Sequence, residues 1–168
     1  PSLASDEVSG RVFWDDLRFP ATAINPPGQA SDPDVETTSG LLRFSTGNEL
    51  IYALVQMPHS WKEQSAIVPH VHWQKTTSAA GDVLWRMRYK FARINEVMDA
   101  AWSSYTDAST TVGGTPDTDE ADKHLISSFG DTSVDMTGST ISDCILFEIS
   151  RDGGGYAADA RLLEFDVH

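Results

Sequence analysis

Over residues 83–91 the chain alternates strictly. Val83, Trp85, Met87, Tyr89 and Phe91 fall on one side, and Arg86, Arg88 and Lys90 on the other. A period of two with one apolar face predicts a long, half-buried β-strand. Residues 50–57 predict a second strand, apolar on both faces apart from Gln56. Such a strand is expected at the centre of a sheet, or with its outer face covered by another chain. Residues 67–74 predict a third, with Ile67, Val71 and Trp73 on one face and Val68, His70 and His72 on the other. Pro69 inside it points to an edge strand or a bulge, because proline has no N–H to give to a neighbour. Residues 41–45 run into Leu50 through Thr46-Gly47-Asn48, a tight hairpin signal. Residues 144–150 and 160–168 read as a late pair joined by the turn Arg151-Asp152-Gly153-Gly154-Gly155. Weaker strands are expected at 11–14, 123–129 and 133–137. The best helix candidate, 94–102, is short and carries little periodicity.

About nine short strands at regular turn spacing predict an all-β fold, an antiparallel β-sandwich of jelly-roll-like type. Helix is expected to be under about a tenth, against a usual third. Residues 19–36 hold Pro20, Pro26, Pro27 and Pro33 with few apolar side chains, so an extended N-terminal arm is expected. This divides the chain into an arm with the first strand, 1–36, and a sandwich domain, 37–168. Residues 106–122, rich in Thr, Gly and Asp, read as a surface excursion.

Charge narrows the partners. Twelve Lys and Arg against 25 Asp and Glu give a net charge of −13. That repels phosphate backbones and anionic membrane surfaces, so neither nucleic acid nor membrane is an expected partner. The apolar runs are too short for a spanning helix. The single Cys144 rules out an intrachain disulfide framework and a cysteine zinc site. In the run Cys144-Ile145-Leu146-Phe147 it reads as a small buried apolar residue. No charged-then-apolar leader is present, which fits synthesis in a reducing cytoplasm.

Pro69-His70-Val71-His72-Trp73 carries the most chemistry. His-x-His on a strand puts two imidazoles on one face, in reach of one metal, and His59 lies upstream. Cupins, metal-binding jelly rolls, place such a pair on a strand. Here no acid follows before Asp82, and His124 and His168 sit in no recognisable context, so the cupin pattern is incomplete. His70, His72 and His59 are therefore metal candidates ranked below a plainer reading, two half-buried strand histidines at an edge or a subunit contact. Asp117, Asp119, Glu120 and Asp122 lack the Gly and Glu of an EF-hand loop. There is no Gly-x-Ser-x-Gly, and Gly153-Gly154-Gly155 opens no helix, so neither a nucleophile nor a phosphate loop is expected. The chain reads as a non-enzyme without a cofactor. Its five tryptophans suit a sandwich core, Trp85 above all, but aromatics also make interfaces and sugar platforms.

Four segments together resemble small structural proteins of tailed bacteriophages. They are Trp14-Asp15-Asp16-Leu17-Arg18-Phe19-Pro20, Val55-Gln56-Met57-Pro58-His59-Ser60-Trp61-Lys62-Glu63, Pro69-His70-Val71-His72-Trp73 and Leu162-Leu163-Glu164-Phe165-Asp166-Val167-His168. The resemblance implies a virion component and brings no catalytic residues. It does not by itself say head or tail; an acidic sandwich with a Pro-rich arm makes the expectation a capsid decoration protein that bridges capsomers, with the major capsid protein as partner, and strand 50–57, apolar on both faces, makes the expected assembly a homotrimer, then a dimer. The alternative is a tail or appendage component that binds a receptor or glycan; a cupin-like metal-binding protein is a third reading. Phe13, Trp14, Leu17, Phe19 and Ile24 are wasteful in a solvated tail, so residues 14–19 are expected to dock on a neighbouring subunit or the capsid, with Arg18 pairing an acid there and Phe13, Trp14, Leu17, Arg18 and Phe19 as the interface. The plainer alternative makes 13–19 the first strand of the chain's own sandwich.

Overall fold

The computed structural model describes residues 16–45, 47, 49–112 and 121–168. Ten strands are present among them: β1 (Leu17–Pro20), β2 (Asp34–Val35), β3 (Leu42–Phe44), β4 (Leu50–Gln56), β5 (Pro69–Lys75), β6 (Gly81–Ala92), β7 (Thr106–Val112), β8 (His124–Ser128), β9 (Cys144–Arg151) and β10 (Ala160–Val167). The only helical turn among the described residues is a 3-10 segment, Ala21–Ala23.

The strands form two antiparallel sheets, β2-β3-β10-β5-β8 with β1 also on β10, and β4-β9-β6-β7. From β3 onward every consecutive pair of strands lies in different sheets except β6 and β7, which pair as neighbours; this is the winding of a jelly roll. The all-β sandwich read from the periodicity is the fold.

Alternation decides what lies between the sheets. Val83, Trp85, Met87 and Phe91 of β6 are buried with Ile145, Phe147 and Ile149 of β9 and Ile51, Ala53 and Val55 of β4. Val71 and Trp73 of β5 face them from the other sheet, with Leu162, Phe165 and Val167 of β10. Trp73 and Trp85 meet edge to face across the interior at 6.3 Å, and Phe44 packs on Trp85 at 5.2 Å. A buried tryptophan removes roughly 200 Å² from water, about 5 kcal/mol of transfer free energy at about 25 cal/mol per Å². β10 keeps its apolar side inward despite an irregularity between Leu162 and Glu164 in its pairing with β5. The extra residue switches the phase, so Leu162 and then Phe165 and Val167 point inward while Glu164 and Asp166 take the outer face.

Several expectations are corrected. β5 is an interior strand, between β10 and β8. Pro69 is tolerated because it is the strand's first residue. β4 is an edge strand whose outer face is open: Leu54 is 57% exposed and Tyr52 37%. The two supposed hairpins are crossovers. β3 pairs with β10 and β4 with β9, so β3 and β4 lie in different sheets and are not a hairpin; β9 and β10 likewise lie in different sheets. Residues 106–112 are strand β7, residues 133–137 form turns, and residues 94–102 are not helical. Arg151, expected in a turn, ends β9 fully buried, donating to the carbonyls of Phe44, Tyr156 and Ala158.

Residues 16–36 pack on their own sandwich. β1 pairs with the second half of β10 and β3 with the first, so the two lie end to end along one edge. Ala21 is buried, and Phe19 and Ile24 pack against the core. Leu17, Arg18 and Phe19 lie on β1, which pairs with β10 of the chain's own sandwich, the plainer of the two alternatives for this segment. The acid that Arg18 meets is Glu164, in a two-pronged pair at 2.5 and 2.7 Å. Phe13, Trp14 and the strand expected at 11–14 lie outside the described residues.

Candidate functional site

The outer face of the second sheet carries an aromatic row fixed by register. Tyr52 of β4 is opposite Glu148 of β9, and Glu148 is opposite Arg88 of β6. Tyr105, just before β7, adds the far end. Glu148 is buried and takes two hydrogen bonds from Arg88, at 2.7 and 2.8 Å, and one from the Tyr105 hydroxyl at 3.1 Å. The Arg88 guanidinium lies over Tyr105 at 4.8 Å and over Trp102 at 5.0 Å, and the Lys90 ammonium lies 4.6 Å from the Trp102 ring. Trp102 and Tyr52 are nearly parallel, 20° apart in plane with centroids 6.0 Å apart. Tyr105 is 48% exposed.

These contacts shift the titrations together. Arg88 is raised, first by its hydrogen bonds to Glu148. Tyr52 and Tyr105 are raised by burial and then by the Glu148 charge. Arg86 extends the charged row, paired with Asp107 at 2.8 Å and with Asp152. Beside Trp102 an open cleft of about 300 Å³ is lined by Tyr89, Phe91, Arg93, Asp99 and Asp135 among others. Flat rings set beside fixed donors and acceptors are what a sugar ring needs, an apolar C–H face to stack and hydroxyls to satisfy. In sequence Arg88 and Lys90 were legible as outer-face residues. Tyr52, Trp102, Tyr105 and Glu148 were not singled out, because only the cross-strand register brings them together.

The outer face of the first sheet gathers the histidines. His70 and His72 of β5 do point to one side, as the period of two requires, and away from an interior that Trp73, Trp85 and Phe147 fill. His70 is opposite Asp166 and His72 opposite Glu164. His72 Nδ1 is 2.7 Å from His124 Nε2, and its Nε2 is 3.4 Å from Asp166 Oδ2. His168 Nε2 is 3.1 Å from the same oxygen, while its Nδ1 lies 3.5 Å from Asp16 Oδ1. Burial lowers the His70 pKa, with the neighbouring His168 adding to the effect. Arg18 holds Glu164 below its ordinary value. His59 is not in this group: it is exposed in the loop after β4, with Nε2 3.2 Å from Ser142 Oγ. Of the acids 117–122, Asp122 pairs with Arg161, and Asp117, Asp119 and Glu120 lie outside the described residues. Cys144 is free and partly exposed at the start of β9.

The architecture is that of a jelly-roll β-sandwich with two decorated outer faces. No family model matches the chain, and no curated protein matches it in sequence. Among solved structures it is similar to a xylan-binding module, CBM15, with a TM-score of 0.45 and 11% identity over 91% of this chain and 95% of that one. It is also similar to part of Arthrobacter globiformis T6 isomalto-dextranase complexed with panose, with a TM-score of 0.42 and 14% identity over 90% of this chain. The chain spans 23% of that enzyme's length. No helix among the described residues is long and apolar enough to cross a membrane.

Proposed function

We propose that the chain is a non-catalytic glycan-binding module of a phage virion, with its site on the outer face of the second sheet. The observation that carries the binding role is the row Tyr52, Glu148, Arg88 and Tyr105 with Trp102 folded over it. The buried ion pair sets the rings in place before any ligand arrives, so little ordering entropy is lost on binding. The virion role is supported by the four motifs that resemble phage structural proteins.

Binding to surface polysaccharides and oligosaccharides of candidate hosts, by array and then titration calorimetry, tests the reading. Trp102→Ala and Tyr105→Ala are expected to weaken binding at least 10-fold each, about 1.4 kcal/mol. Affinity unchanged in both variants would overturn the assignment of the face, and no glycan bound by the parent chain would overturn the role.

Capsid decoration is the second reading. Leu54 and Tyr52 stand exposed on β4, a free sheet edge that favours a protein neighbour. On this reading the chain forms a homotrimer, and hundreds of copies per virion touch the major capsid protein. Copy number decides between the readings: an appendage would contribute a small multiple of three or six.

A further inference from the structure

We propose that His70, Asp166 and His168 form a site for one divalent first-row transition ion on the outer face of the first sheet, clasping β5 to the end of β10. Register builds it. Asp166 is cross-strand partner to His70, and His168 follows on the same face, its N–H and C=O both bonded to Val68 just ahead of β5. One ligand atom from each of the three side chains lies within 4.8 Å of the other two. His70 Nδ1 is 3.7 Å from Asp166 Oδ1, and His168 Nε2 is 3.1 Å from Asp166 Oδ2. A tetrahedral ion with bonds near 2.0–2.1 Å sets its ligand atoms roughly 3.3 Å apart, so separations of up to 4.8 Å must close by up to about 1.5 Å as the ion binds.

A second observation points to a cation. The Asp166 side chain is 3% exposed, and its Oδ1 has no hydrogen-bond partner among the described residues. His70 Nδ1, facing it, is also buried and unpartnered. A buried carboxylate oxygen left this way has lost its hydration with no hydrogen bond to replace it. The Arg18 guanidinium does not relieve it, because both its prongs are on Glu164. What surrounds Asp166 instead is imidazole, from His70, His72 and His168. Two imidazoles and one carboxylate suit zinc, cobalt or nickel better than calcium or magnesium, which prefer oxygen ligands. Three protein ligands leave a fourth position for water.

The test uses the full chain stripped with chelator and dialysed. Zinc titrated by calorimetry is expected to bind at one equivalent per chain and to raise the unfolding midpoint. Cobalt(II) should give the visible bands of a four-coordinate ion. Asp166→Asn and His70→Gln should each weaken zinc at least 10-fold, while His59→Gln leaves it unchanged. If Asp166→Asn fails to fold, His168→Gln at the end of the strand gives the same reading. Less than about 0.2 equivalent of zinc, cobalt or nickel on the parent chain would overturn the proposal, as would undiminished binding in His70→Gln and His168→Gln. The outcome is independent of the glycan site, which lies on the other sheet.

Discussion

Replacing Arg88 by methionine removes the only guanidinium among the described residues that reaches Glu148. The carboxylate side chain is 2% exposed and Arg88's is 28%, so the loss strands a charge that water cannot easily reach. Breaking a buried pair by removing one partner costs about 3–5 kcal/mol. The Tyr105 hydroxyl stays on Glu148, and Arg88 is partly solvated, which brings the expectation for Arg88→Met to about 2–3 kcal/mol. With a urea slope near 2 kcal/mol per molar, the midpoint should fall by about 1–1.5 M. Replacing both members, Arg88→Met with Glu148→Leu, strands nothing and should lie within about 1 kcal/mol of the parent. The double-mutant cycle should thus show a coupling of about 2 kcal/mol. Far-ultraviolet circular dichroism is the right probe, because Trp102 sits on Arg88 and its fluorescence would report the substitution itself. A single variant that loses under about 0.5 kcal/mol, or a double variant that loses the sum of both singles, would refute the reasoning: the pair would then be an ordinary surface bridge.

Two further outcomes follow from the loops. Gly154 has φ +89°, and a Cβ there would lie 2.1 Å from the Asp82 carbonyl oxygen, so Gly154→Ala should lose about 3 kcal/mol or more. Gly153→Ala, at φ +67° with open space around it, should lose only about 1 kcal/mol; thermal melts of the two compare them directly. Burial raises the Asp143 carboxyl, but N–H donors from Thr140 and Ile94 together outweigh it and hold the group below its ordinary value. A lowered folded value gives stability that is present above the unfolded pKa of about 3.9 and lost as pH falls through the folded one. Asp143→Asn should therefore flatten the fall in urea midpoint below about pH 4, and an unchanged acid limb would contradict this.

The alternation over 83–91 made β6 legible, and with it the core positions Trp85 and Met87 and the outer positions Arg86, Arg88 and Lys90. Strand existence was also legible for β4, β5, β9 and β10. Pairing was not. Thr46-Gly47-Asn48 and Gly153-Gly154-Gly155 look like hairpin turns because glycine permits a reversal, yet the strands flanking each lie in different sheets. Two-faced apolarity at β4 suggested a central strand; Tyr52 and Leu54 are instead outward, and Trp102 covers part of that face from a loop with no periodicity. The histidines were visible as His70-x-His72, but their acid, Asp166, lies 96 residues from His70 in a strand that reads as ordinary core. Its outward turn depends on the phase switch after Leu162, which no local pattern announces.

β10 is flanked along its length by β5 and, on its other edge, by β3 and β1 in tandem, all of which precede it in the chain. A ribosome therefore releases three strands before the one that joins them. Until residues 160–167 emerge, β5 lacks one neighbour, and β1 and β3 have nothing to share. Closure of that sheet must wait for the end of this stretch of synthesis, and the waiting edges are the kind that recruit strangers. High production temperature or fast translation should tax this protein more than a sandwich whose strands pair in order of birth.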